Sequence, residues 1–201
     1  DDYIFEPWVT VKAVCQTPSD GVWGLASPQT HSDELRGSFI WDPPIKEEDD
    51  LTRLHSPNHI IDEYQTQRRI EQLSSAIGDI ITIAVDRSPI YRIWNGDIST
   101  QLAYLRGLEQ VMWDMMDRPA WLHKLLSHMR DGILRTHEQA ESYGDWSLSA
   151  HENQAMPYAE ELPDPQANSG PVQRSHLWTF VASQETTAVG PRQFDEFMLQ
   201  Y

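Results

Sequence analysis

Two short runs hold most of the side chains able to do chemistry. The first, Asp86-Arg87-Ser88-Pro89-Ile90-Tyr91-Arg92, follows an apolar segment that ends at Val85. Arg87 could grip a carboxylate or phosphate through two parallel N–H donors, or could pair with an aspartate such as Asp86 or Asp79. Tyr91 could donate a hydrogen bond to a ligand or pack as a loop aromatic. The second run, His151-Glu152-Asn153, follows Trp146 to Ala150. His151 suits a general acid/base or, as neutral imidazole, a zinc ligand. Glu152 could orient it or act as a base, and Asn153 would bind substrate beside them. Tyr158 and Trp178 could wall in a flat or methylated ligand, although core packing explains Trp178 equally well.

The elements around these runs read as α/β. Asp79 to Val85 is short, β-branched and nearly all apolar, the pattern of a strand buried on both faces of a parallel sheet. A helix from Asp62 or Glu63 through Ala76 precedes it, with Tyr64, Ile70, Leu73 and Ile77 facing inward and Gly78 ending it. Leu102, Leu105, Leu108, Val111 or Met112, and Met115 share one face of a following helix. Asp117 is then placed to cap a second helix with Pro119 in its first turn. That helix would bury Leu122, Leu125, Leu126, Met129 and Ile133 and end at a left-handed Gly144. An exposed Asp145 and a strand over Trp146 to Ala150 should follow. Alternation of this kind predicts βα units. The N-terminal stretch reads differently, with a strand at Trp8–Val14, a turn at Pro18–Gly21, a returning strand at Val22–Leu25 and another at Gly37–Trp41. Residues 151–175 form a long polar loop, and Pro191 opens a last helix that buries Phe194, Phe197 and Met198.

Other polar clusters have simpler readings. Glu47, Glu48, Asp49 and Asp50 suit the positive end of a short helix over Lys46–Leu54 better than a metal. His55 and His59 are separated by Ser56-Pro57-Asn58, which breaks the helix that would unite them, so both read as surface residues. Cys15 reads as a small buried filler, and a single cysteine excludes an internal disulfide.

Three ordered segments carry a family resemblance. Leu105-Arg106-Gly107-Leu108-Glu109 with Asp114-Met115-Met116-Asp117-Arg118-Pro119 is the first. Asp42-Pro43-Pro44-Ile45 with Glu48-Asp49-Asp50-Leu51 is the second. The third comprises Leu177-Trp178, Ser183-Gln184, Gly190-Pro191 and Phe194 to Tyr201. Together, over residues 40–201, they resemble the uroporphyrinogen decarboxylase superfamily, which includes cobalamin-dependent methyltransferases. The resemblance implies a (β/α)8 barrel, here an incomplete one at residues 42–201 preceded by a β-rich excursion at 1–41. It implies an active centre at the strand C-termini, with Val85 and Ala150 as ends of neighbouring parallel strands. It also places Gln184 in the pocket wall, while His151-Glu152-Asn153 matches the superfamily in place rather than in identity.

A barrel of this kind usually has roughly 250 residues, so the 201-residue chain reads as part of a longer one and is expected to be inactive alone. The methyltransferase branch uses zinc held by His and Cys ligands, which the resemblance places beyond Tyr201. Its partners would be a small-molecule substrate and a corrinoid protein, with a homodimer as the expected assembly. The decarboxylase branch is cofactor-free and needs several arginines at one mouth. With 15 Lys and Arg against 31 Asp and Glu, the net charge of −16 disfavours nucleic acid, anionic membranes and polycarboxylate substrates. No leader or spanning segment is evident, which makes the cytoplasm the default. The readings rank as corrinoid-linked methyl transfer, uroporphyrinogen decarboxylation, and a non-catalytic binding subunit.

Overall fold

A computed structural model describes residues 6–32, 37–92, 95–149 and 160–201. The chain is mixed α/β and clusters into two compact units, each assembled from three segments. The first unit takes residues 1–16, 58–93 and 136–179, and the second takes 17–57, 94–135 and 180–201.

In the first unit, β1 (Trp8–Lys12) pairs in parallel with β4 (Thr82–Asp86), with Trp8 opposite Thr82 and Lys12 opposite Asp86. β1 therefore does not form the expected hairpin. Residues 22–25 belong to the other unit, in turns and bends. Helix α1 (Glu63–Ile77) precedes β4 and packs against both strands; Asp62 caps it by accepting from the Gln65 N–H at 2.9 Å. Its buried residue is Thr66, whose hydroxyl receives the Val14 N–H at 2.9 Å, while Tyr64 stays exposed rather than facing inward. The helix ends at Gly78 as expected, with the Gly78 N–H donating to the Ser74 carbonyl at 2.9 Å. β4 buries Ala84 and Asp86 and leaves Thr82 exposed, a half-covered strand rather than one enclosed on both faces.

The expected strand from Trp146 does not form over residues 146–149. Its backbone is taken by a later loop: the Val172 and Gln166 N–H groups donate to the Trp146 and Leu148 carbonyls, and the Leu148 N–H donates to the Ser169 hydroxyl. Those groups are then no longer open to a ladder. Ser149 still meets the sheet. Its carbonyl accepts from the Thr10 hydroxyl at 2.8 Å and its own hydroxyl donates to the Val85 carbonyl at 3.3 Å. Ala150 lies outside the described residues. Among the described residues the strands form two two-stranded sheets and no closed barrel.

In the second unit, β2 (Gln29–His31) pairs antiparallel with β3 (Phe39–Trp41). The expected short helix is a 3-10 helix at Glu48–Arg53, which carries the acidic run and has Asp50 accepting from the Glu47 N–H at 3.0 Å. The apolar run from Leu102 is two helices rather than one, α2 (Ser99–Arg106) and α3 (Leu108–Asp117). Gly107 separates them at φ +86°, a conformation that side chains rarely adopt. Asp117 closes α3 instead of capping the next helix: α4 (Pro119–Tyr143), whose residues from Thr136 on belong to the first unit, makes its first backbone bond to the Arg118 carbonyl. Its expected inward face is buried, with Leu122, Leu125, Leu126, Met129 and Ile133 at most 4% exposed. Gly144 ends it at φ +74°, as anticipated. Helix α5 (Pro191–Phe197) buries Phe197 in the second unit.

The segment carrying the resemblance is itself a packing device. Arg106 sends Nε and Nη2 to the two oxygens of Asp114 at 2.7 and 3.2 Å, and Nη1 to the Ile45 and Lys46 carbonyls at 2.9 and 2.7 Å. Arg118 reaches the same carboxylate at 2.7 Å, and both guanidiniums lie over the Trp121 ring. The two proline-rich and arginine-rich stretches thus lock together through one buried aspartate.

Candidate functional site

The C-terminal end of the β1–β4 pair gathers a cluster of charge in the first unit. Asp86, the last residue of β4, is buried; it accepts from the Ser88 backbone at 3.0 Å, from the Ser88 hydroxyl, and from Arg92 in an ion pair. Arg87 points the other way. Its Nε donates to Asp145 Oδ1 at 2.6 Å, and its Nη1 and Nη2 donate to the two Glu63 oxygens at 3.0 and 2.6 Å. Asp145 is buried, not exposed as expected, because Gly144 turns the chain inward at the end of α4. Its second oxygen, Oδ2, receives His59 Nε2 at 2.8 Å. His59 is likewise buried at 3% exposure rather than a surface residue. The Gln139 side chain accepts its backbone N–H at 2.8 Å, and Tyr143 stacks on its ring at 6.3 Å between centroids.

The result is a chain of four side chains, His59–Asp145–Arg87–Glu63, running from buried to exposed. The hydrogen bonds from Arg87 hold the Glu63 carboxyl below the usual carboxylate range. Glu63 in turn is the largest influence keeping the Arg87 guanidinium charged. Cys15 lies near this field, bridged to Ile61. Burial pushes its thiol up, opposed by Arg92 and Arg87 and reinforced by Asp145, which fits a filler rather than a thiolate nucleophile.

The expected site residues fall in different places. Arg87 sits in the cluster, with its carboxylate partners supplied by Glu63 and Asp145 instead of Asp86 or Asp79. Tyr91 is buried at 2% exposure in the same unit, and its carbonyl accepts from His137 Nε2. Burial lowers the basicity of that histidine. Trp178 is half-buried in the first unit, whereas Gln184 is exposed and belongs to the second. His151, Glu152, Asn153 and Tyr158 lie outside the described residues. Sequence reasoning missed His59 and Asp145. The signal for Asp145 was its position directly after a left-handed glycine; His59 had none, since its partner is 86 residues away.

An open cleft in the first unit is lined by Glu141, Pro171, Val172, Gln173 and His176. Its one carboxylate is already engaged: Glu141 accepts from the Arg174 backbone and guanidinium, both at 3.0 Å, and is held more acidic by them. Among the described residues no group of three or more His, Cys, Asp and Glu side chains converges as a metal would need, so zinc has no ligand set there. No helix among them is long and apolar enough to cross a membrane.

No family model matches the chain, and no curated protein or solved structure matches it either. The fold and the strand-end cluster therefore stand on their own geometry.

Proposed function

We propose that this chain is part of a cytoplasmic enzyme of the uroporphyrinogen decarboxylase superfamily type, built on part of a (β/α)8 barrel. Its reaction is methyl transfer between a methylated corrinoid and a thiol or related acceptor. Support for the barrel comes from the parallel β1–β4 pair with α1 packed against both strands and charged groups gathered past the strand ends. The choice of reaction rests on one observation: two arginines, Arg87 and Arg92, face three carboxylates, Glu63, Asp86 and Asp145. A mouth with a surplus carboxylate repels a polycarboxylate substrate and tolerates a neutral acceptor. The described residues do not fit zinc, and no step is assigned to it. Arg87 fixes Asp145, and the Asp145 carboxylate fixes the imidazole of His59.

Decarboxylation of uroporphyrinogen is the second reading, favoured by the presence of two arginines at the end of one strand. The test uses the full-length protein, supplied with methylcobalamin and a thiol in one assay and with uroporphyrinogen in another. Thioether formation supports methyl transfer; loss of substrate carboxyl groups without it supports the second reading. Neither product would refute both.

A further inference from the structure

The β2–β3 ribbon of the second unit has an edge with bonding capacity to spare. Its register sets Gln29 opposite Trp41, Thr30 opposite Ile40 and His31 opposite Phe39. The ladder continues at both ends, where the Asp42 N–H donates to the Pro28 carbonyl and the Ser32 N–H to the Ser38 carbonyl, each at 3.0 Å. Antiparallel pairs alternate between hydrogen-bonded and open. The bonded pairs are therefore Pro28 with Asp42, Thr30 with Ile40 and Ser32 with Ser38, and the N–H and C=O groups of Phe39 and Trp41 point away from β2. They meet no hydrogen-bond partner among the described residues. A two-stranded ribbon is marginal alone, and proline or charge usually blunts an open edge. β2 has Pro28 before it and only polar side chains. β3 has neither device: it is Phe39-Ile40-Trp41, with Phe39 48% and Ile40 73% exposed. This edge is also held in shape. The rings of His31, Phe39, Trp41 and Tyr104 from α2 follow one another at 5.6, 5.7 and 4.6 Å between centroids.

The geometry points to the β3 edge as a docking surface for an extended, basic segment of a partner protein, added as a third strand. Main-chain bonds to Phe39 and Trp41 supply the affinity, and an apolar side chain of the partner covers Ile40. Charge selects the occupant. Asp42, at the end of the ribbon, is exposed, and after Pro43-Pro44 come the exposed Glu47, Glu48 and Asp49. The neighbouring cations are already engaged, Lys46 with Asp42 and Arg53 with Asp50, which leaves Glu48 and Asp49 without a counter-charge among the described residues. In a chain of net charge −16, a second copy would bring carboxylates against carboxylates. Lysine or arginine flanking an apolar strand complements them instead. Docking here is independent of the reaction proposed above.

The experiment is a calorimetric titration of the full chain with an acetylated, amidated Lys-Lys-Thr-Val-Thr-Val-Thr peptide. Docked antiparallel, it sets a lysine beside Asp42, its first valine beside Ile40 and its first two threonines in bonded pairs with Trp41 and Phe39. One control peptide carries glutamate in place of both lysines. Another is N-methylated at those two threonines, which removes the main-chain donors. The basic peptide should bind saturably and slow amide hydrogen exchange at Phe39 and Trp41, and each control should bind at least about tenfold more weakly. Phe39→Pro removes an outward N–H and none of the ribbon's own bonds. It and Ile40→Lys should each weaken the basic peptide by a similar factor; if one variant loses its folded circular dichroism, the other decides. No binding of the basic peptide, binding without slowed exchange at both amides, equal binding of either control, or wild-type binding by a folded variant would overturn the proposal. So would self-association in sedimentation that Ile40→Lys abolishes, because the occupant would then be a second copy.

Discussion

Each unit has an arginine bound to a buried aspartate, and the two pairs are finished differently. In the second unit Arg106 and Asp114 are at most 2% exposed at their side chains, and every oxygen of Asp114 is met by Arg106, Arg118 or Gln110. In the first, Arg87 is 34% exposed, its outer partner Glu63 is 67% exposed, and the inner end stops at an unmet His59 nitrogen. A sealed cluster can only hold parts together. An unsealed one retains bonding capacity, and only that can be used on a ligand. Saturation, not burial or residue type, separates the two clusters.

The largest expected effect breaks the sealed side. Asp114→Ala would leave two guanidiniums without their counter-charge, one of them buried, and should cost about 3–5 kcal/mol, read by urea unfolding. An unchanged midpoint would remove the scaffold role. Arg87→Ala should be milder, about 2 kcal/mol from the lost charged hydrogen bonds, because solvent reaches the Glu63 arm. On the proposed methyl-transfer reading it should also lower turnover of the full-length protein while the chain stays folded by circular dichroism. Wild-type turnover would take Arg87 out of the site.

Gly107→Ala tests the hinge that brings Arg106 and Asp114 together. At φ +86°, with Pro43 3.1 Å from the added Cβ, it should destabilise by about 1–3 kcal/mol. Acid should act on the first unit through His137. Burial depresses the His137 pKa, so the unfolded chain binds that proton first as pH falls. Stability from this source is whole above about 6.5 and declines below it. Replacing His137 with Gln should flatten the decline between pH 7.5 and about 5.5. Glu63→Gln should have the smallest effect, under about 1 kcal/mol. The depressed Glu63 pKa means its contribution is present above about 4.3 and disappears as pH falls through the folded value.

The sequence by itself determined the local events. Apolar spacing marked the buried face of α4, Gly144 its left-handed end, Asp62 or Glu63 the start of α1, and β-branched residues the strand leading to Asp86. Each depends on neighbours within a few positions, where periodicity and capping act. It could not show that β1 pairs with β4 instead of turning back, or that Trp146 to Ser149 would give its backbone to a distant loop. Nor could it show that His59 would meet Asp145. Those outcomes depend on which distant groups satisfy a buried donor or acceptor, and only the tertiary fold brings such partners within reach.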